Sequence, residues 1–355
     1  MQHPRARAGP AVPSERTPTI EGYSVKVVIP LAGKGTRLRP HTYVTPKPLL
    51  NVGGRPVMSY ILDDLKELGV REIVFVVGYL KEKIESYVAD AYPEFTSHFV
   101  EQKVQDGTAG AVGLARDFID EDLLILFVDT IFDANLSIIR DLPEDVAGIM
   151  WVKEVEDYQR FGVVVTGKDG FMKRIVEKPK DPISKLANIG LYYIRDWKLL
   201  FEGIRQTLDS TRGAGQEYYL TDAFQFMIDH GAKIKIVEVD GWYDAGKPDT
   251  LLETNRHLLE TGRARAPDGG HNVRVTEPVR VEEGVVLENS EIGPNVTIMT
   301  GSTIRGSKVR DAIIGAGTTI EDSELHDSLI GDQCVIRGAR GSLSVVDHSE
   351  IVGCR

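Results

Sequence analysis

The sequence predicts an α/β fold, a doubly wound and mainly parallel (Rossmann-like) sheet, followed by a parallel β-helix. Three observations predict it. From residue 25 to about residue 260, short apolar runs alternate with amphipathic stretches. A glycine loop bearing cations follows the first apolar run directly. Beyond residue 270 the texture changes, and apolar residues recur at a six-residue step.

Residues 1–24 are rich in Pro, Arg, Ala and Ser and lack an apolar core, which predicts a disordered tail and no signal peptide. VKVVI at Val25–Ile29, EIVFVV at Glu72–Val77 and LLILFV at Leu123–Val128 read as buried strands of a largely parallel sheet. Between them, Val57–Leu68 places Ile61, Leu62, Leu65 and Leu68 on one helix face. This βαβ rhythm implies helices on both faces of the sheet and ligands beyond the carboxyl ends of its strands. The loop at Gly33 and Asp129 both follow strands, so both are expected on that edge. Residues 261–270, TGRARAPDGG, read as a linker.

From 271 to 355, Val275, Val281 and Leu287 are six apart. So are Ile292, Ile298 and Ile304, then Ile314 and Ile320, then Ile330 and Ile336. A six-residue period without helical pattern indicates a parallel β-helix, each short strand forming one face of a coil. The step shortens to five at Val309 and Leu325, which predicts imperfect coils.

Composition limits the functions open to this chain of 355 residues. A net charge of −11 argues against nonspecific nucleic-acid binding. No apolar run approaches the roughly 20 residues of a membrane span. The two cysteines, Cys334 and Cys354, cannot build a disulfide framework or a zinc cluster. The eight histidines show no metal spacing. A reducing, cytoplasmic setting is expected.

The chemistry is concentrated in PLAGKGTRLRPHTYVTPKPL, Pro30–Leu49. A glycine loop lets backbone N–H groups approach phosphate oxygens, and Lys34, Arg37 and Lys47 supply charge against them. The loop lacks the third glycine of a dinucleotide fingerprint and the Gly-Lys-Ser/Thr ending of a Walker loop. Gly33-Lys34-Gly35-Thr36-Arg37 followed by Pro46-Lys47-Pro48 resembles the sugar-phosphate nucleotidyltransferase family, the NDP-sugar pyrophosphorylases. The compact loop looks more like the bacterial UTP–glucose-1-phosphate uridylyltransferases. Pro-Lys-Pro-Leu looks more like the thymidylyl- and guanylyltransferase branches.

Further matches follow in the family's order. They are Gln102 with Gly107-Thr108-Ala109-Gly110-Ala111, Asp129, Phe161-Gly162-Val163, Glu177-Lys178-Pro179, Asn188-Ile189-Gly190-Leu191-Tyr192, Glu217 to Asp222, and Gly241 to Gly246. The resemblance covers about residues 25–260, and the tail is similar to members that carry a left-handed β-helix.

The resemblance implies attack of a sugar 1-phosphate oxygen on the α-phosphorus of a nucleoside triphosphate, with release of pyrophosphate. It implies that Leu31, Ala32, Gly33, Gly35, Thr36, Gln102, Gly107 and Thr108 bind nucleotide. Gly162, Glu177, Lys178, Asn188 and Gly190 are then expected to bind sugar phosphate. Asp129 and Asp244 are expected to hold Mg²⁺, and Arg37, Lys47 and Lys178 to carry the catalysis. Arg37 suits a triphosphate because its fork can bind two oxygens, and Lys47 is expected to reach the α-phosphate from its rigid Pro-Lys-Pro frame. Gln102 can hydrogen-bond a base edge through its paired donor and acceptor. Trp242 and Tyr243 read as core or pocket wall.

The expected partners are dTTP or UTP and glucose 1-phosphate, with no nucleic acid and no membrane. GTP–mannose-1-phosphate guanylyl transfer and a noncatalytic regulatory paralogue are the alternatives. Val128 and Thr130 flank Asp129 where many relatives have Gly and Asp or Asn, so the sugar contact beside Asp129 departs from the family pattern. An acyltransferase role for the β-helix is weaker, because neither His326 nor His348 sits in a recognisable catalytic context. A short β-helix suits a homo-oligomer.

Overall fold

The computed structural model describes residues 24–211 and 216–353. The tail expected over residues 1–24 lies outside them except for Ser24.

A nine-stranded sheet forms the centre of the N-terminal part. Lys26–Pro30 pairs in parallel with Glu72–Val77 on one side and Leu123–Leu126 on the other, and Thr96–Glu101 extends the parallel half. Beyond Leu123–Leu126 the sheet is mixed. The nine-residue strand Leu186–Ile194 runs antiparallel both to Leu123–Leu126 and to Gly148–Glu154. The hairpin Gly162–Thr166 with Met172–Glu177 joins at its far end.

Alternate residues of the central strands enter two cores. Val27, Ile29, Ile73 and Phe75 face the helices Val57–Leu68 and Lys81–Ala91. Val28, Val74 and Val76 face the helices Trp197–Asp209 and Leu220–Asp229. The period of two along buried strands therefore produces the double winding. Ile61, Leu62 and Leu65 are buried as their helical spacing predicts. The strand expected to reach Val128 ends at Leu126, although Phe127 N still donates to the carbonyl of Gly190 on the neighbouring strand.

The C-terminal part consists of three parallel sheets of five strands each, the arrangement of a left-handed parallel β-helix. The registers Val279↔Val296, Val296↔Ala312, Ala312↔Ser328 and Leu329↔Ser344 make each coil 15–17 residues long. One sheet is built from two-residue strands, including Lys308–Val309 and Glu324–Leu325, which accounts for the five-residue steps there. Asn289, Asn295, Asp311, Asp322 and Asp327 occupy positive φ between strands, where Asn and Asp tolerate the left-handed region best. Arg265 already pairs with Arg280, so the segment read as a linker runs alongside the first coil.

One face of the β-helix packs on the sheet-bearing part. In its strands the flanking residues point inward, while the central residues Thr297, Ile313 and Leu329 are buried outside the β-helix core. Ile313 and Leu329 share an apolar cluster with Leu38, Leu251 and Leu258. Buried Asn255 links the two parts. Its Oδ1 accepts from Gly53 N at 3.0 Å and Thr297 Oγ1 at 2.7 Å, while its Nδ2 donates to the Asn295 carbonyl at 3.3 Å.

Candidate active site

The parallel topology puts the ends of Lys26–Pro30 and Leu123–Leu126 side by side, and a continuous cleft opens beyond them. One end is a cavity of about 460 Å³ lined by Leu31, Ala32, Gly33, Gly35, Thr36, Lys47, Gln102, Gly107 and Thr108, among others. The other, of about 250 Å³, is lined by Gly162, Glu177, Lys178, Asn188, Gly190 and Asp244. Arg37, Thr108, Phe127, Asp129 and Glu217 line both. The fold thus brings to the cleft every residue expected to have a catalytic, nucleotide-binding, sugar-phosphate-binding or metal-holding role, whereas the loop cation Lys34 does not line it.

The glycine loop takes its shape from Gly35, at φ 59°, where a Cβ would stand 2.9 Å from Thr42 Cγ2 and 3.2 Å from Lys47 Cβ. Arg37 lines both halves and forms no ion pair or hydrogen bond with the other described residues, so its guanidinium is uncommitted. The Lys47 ammonium, on a side chain only 12% exposed, lies 3.5 Å from Asp129 Oδ2. That carboxylate is half exposed to the cleft.

Asp129 and Asp244 meet through a separate two-stranded ribbon. Thr130–Asp133 pairs antiparallel with Gly241–Asp244, placing Asp244 opposite Thr130, and Ala245 N donates to the Asp129 carbonyl at 3.0 Å. Thr250 Oγ1 donates to Asp244 Oδ2 at 3.3 Å. Among the described residues no group of three or more His, Cys, Asp or Glu converges for a metal. Two carboxylates lining the same cavity still fit an ion that takes its other ligands from phosphate oxygens and water.

In the larger cavity, Gln102 Nε2 donates to Asp106 Oδ1 at 2.9 Å and to the Gly107 carbonyl at 3.2 Å. Both amide hydrogens are therefore used, and the side chain offers a base its acceptor alone, not the donor–acceptor pair expected. Gly107 sits at φ 119°, and a Cβ there would lie 2.3 Å from the Tyr218 carbonyl oxygen.

At the other end, burial pushes the Glu177 carboxyl above the ordinary range against the opposing pull of Lys178, and Thr221 Oγ1 donates to Glu177 Oε2 at 3.2 Å. Lys178 has φ 44°, unusual for a side-chain-bearing residue, and its ammonium lies 4.8 Å above the Tyr219 ring. Asn188 Oδ1 accepts from Gly190 N at 2.9 Å. Trp242 is pocket wall, with its ring edge against Phe161.

Sequence reasoning did not single out Phe127, Gln105 or Arg160, which also line the cleft. Arg160 stands immediately before the Phe-Gly pair and was detectable as a cation there. Nothing in the sequence distinguished Phe127 from a strand core residue.

Comparison with known proteins agrees with this fold. The chain is 35% identical over 241 residues to the UTP–glucose-1-phosphate uridylyltransferase AglF of Haloferax volcanii, covering 66% of this chain and 97% of that one. It is 36% identical over 263 residues to the bifunctional protein GlmU of Methanocaldococcus jannaschii, covering 73% of this chain but only 60% of the relative's length. A solved UDP-glucose pyrophosphorylase complexed with UDP-glucose superposes with a TM-score of 0.58 at 22% identity, over 67% of this chain and all of that one, a likeness of fold. The nucleotidyl transferase family profile matches residues 26–261, and the chain belongs to that family.

Proposed function

We propose that this sugar-phosphate nucleotidyltransferase joins dTTP or UTP to glucose 1-phosphate, giving the NDP-sugar and pyrophosphate. The observation that carries the reading is the convergence of Arg37, Lys47, Asp129 and Asp244 where the two halves of the cleft meet. An oxygen of the sugar phosphate attacks the α-phosphorus, and the bond from that phosphorus to the pyrophosphate oxygen breaks. The attacking phosphate is already ionised, so no general base is required. The protein's task is to hold two anions in line and to neutralise the charge that spreads between them.

Arg37 takes the triphosphate, Lys47 the α-phosphate and Lys178 the sugar phosphate. Gln102 accepts the N3–H of a pyrimidine base. Glu177 and Asn188 accept from the sugar hydroxyls. Asp129 and Asp244 would hold Mg²⁺, which supplies charge neutralisation at phosphate oxygens when bound. The reading places the enzyme in the cytoplasm, with a homo-oligomer formed through the β-helix.

The test is a panel of UTP, dTTP, GTP, CTP and ATP against glucose, mannose and other hexose 1-phosphates with Mg²⁺, read by pyrophosphate release. Turnover with UTP or dTTP and glucose 1-phosphate is expected. Preference for GTP with mannose 1-phosphate would replace the substrates, since the same acceptor on Gln102 fits guanine N1–H. Nucleotide binding without release from any pair would replace the enzyme with a binding protein.

A further inference from the structure

The stretch Leu31–Leu50 carries the glycine loop, Arg37 and Lys47 at the triphosphate end of the cleft, yet it forms only the short 3₁₀ turns Thr36–Leu38, His41–Tyr43 and Lys47–Leu49. Such turns have few hydrogen bonds of their own, so the surface beneath them sets their geometry. Part of that surface is the β-helix, the rest being the helix Pro248–Leu258 and its neighbours in the sheet-bearing part. Leu38 is fully buried in the cluster that contains Ile313 and Leu329. His41, 4% exposed, places Nε2 3.0 Å from Ser344 Oγ, and Ser344 is the register partner of Leu329 on the last coil. Toward the cleft, Thr42 Oγ1 donates to the Gly35 carbonyl at 2.8 Å, and Gly35 in turn abuts Lys47. A continuous packed path therefore runs from Ser344 through His41 and Thr42 to Gly35 and Lys47.

We propose that His41, held by Ser344, is a positioning residue for Arg37 and Lys47, which makes the last coil of the β-helix a working part of the triphosphate site. Neither residue touches the cleft, so the effect passes through the loop. The inference rests on the nucleotidyl-transfer reading and adds to it a role for the C-terminal part.

The test compares wild type, His41→Ala, His41→Gln, Ser344→Ala and the double alanine variant. Turnover is followed by pyrophosphate release with UTP and glucose 1-phosphate. UTP binding in Mg²⁺ without sugar phosphate is measured by calorimetry. The loss of one hydrogen bond should raise the nucleotide KM and Kd about threefold to tenfold. The sugar-phosphate KM should stay within about twofold, the double variant should be no worse than His41→Ala, and His41→Gln should recover most of the loss. Unchanged nucleotide constants in Ser344→Ala, which removes only a hydroxyl, would overturn the inference. A parallel rise in both KM values would do the same. Wild type that binds UTP but releases no pyrophosphate defeats the proposed reaction instead. The calorimetric shift in the variants then supports the positioning role by its presence and removes it by its absence.

Discussion

Arg37 is uncommitted among the described residues, whereas Lys47 already leans on Asp129. The two cations should therefore fail differently. Arg37→Ala removes a free guanidinium, and kcat should fall by about 10²–10³, as when a transition-state donor is lost. Lys47→Ala should cost about as much in turnover and also leave Asp129 without its cation. Steady-state pyrophosphate release measures both. Glu177 makes a prediction in the other direction. Burial raises its folded pKa above the unfolded value, so ionisation at neutral pH costs stability. Glu177→Gln should therefore raise Tm at pH 7 while weakening sugar-phosphate binding. The gain should fade as pH falls to the ordinary glutamate range, where the native carboxyl is protonated in any case. Melting curves across pH, with and without glucose 1-phosphate, check this. Arg37, Lys47 and the loop glycines were legible in the sequence because they stand together in one short motif directly after a strand, although the same reading took in Lys34, which lies outside the cleft. Phe127 and Gln105 were not, since an aromatic or an amide acquires its place in a cleft only from packing between distant strands.

At the scale of elements, the ribbon of Thr130–Asp133 and Gly241–Asp244 joins carboxylates more than a hundred residues apart. Its pairing was illegible beforehand, because four-residue strands carry too little pattern to name their partners. Chelation with EDTA should abolish turnover and Mg²⁺ should restore it. Asp129→Asn and Asp244→Asn should each raise the Mg²⁺ concentration for half-maximal rate by about tenfold or more. The β-helix strands were legible, because their inward residues repeat at nearly fixed spacing. Their outward residues form ladders of alternating charge. Glu288, Arg305, Glu321, Arg337 and Glu350 are linked by ion pairs along one sheet, and Glu291 pairs with Lys308 on another. Glu321→Lys places three cations in a row and should cost about 0.5–1 kcal/mol, less at high salt, in denaturant unfolding.

For the whole molecule, the two parts are held together by a seam that the sequence does not announce. Asn255 stands on a helix as an ordinary polar residue and becomes the buried junction only once Gly53 and Thr297 meet it. Asn255→Ala leaves buried donors without a partner and should destabilise by about 2–3 kcal/mol in denaturant melts. Light scattering at micromolar concentration tests the proposed homo-oligomer, for which a monodisperse monomer would be the contrary result. The ladders also impose a parity on the length of the β-helix. Each coil reverses the sign presented by the one before it, so excising a single turn would set Glu288 against Glu321, whereas excising two would restore opposite neighbours. Growth or shrinkage of such a domain is therefore favoured in even increments, a constraint that the hydrophobic repeat by itself would never impose.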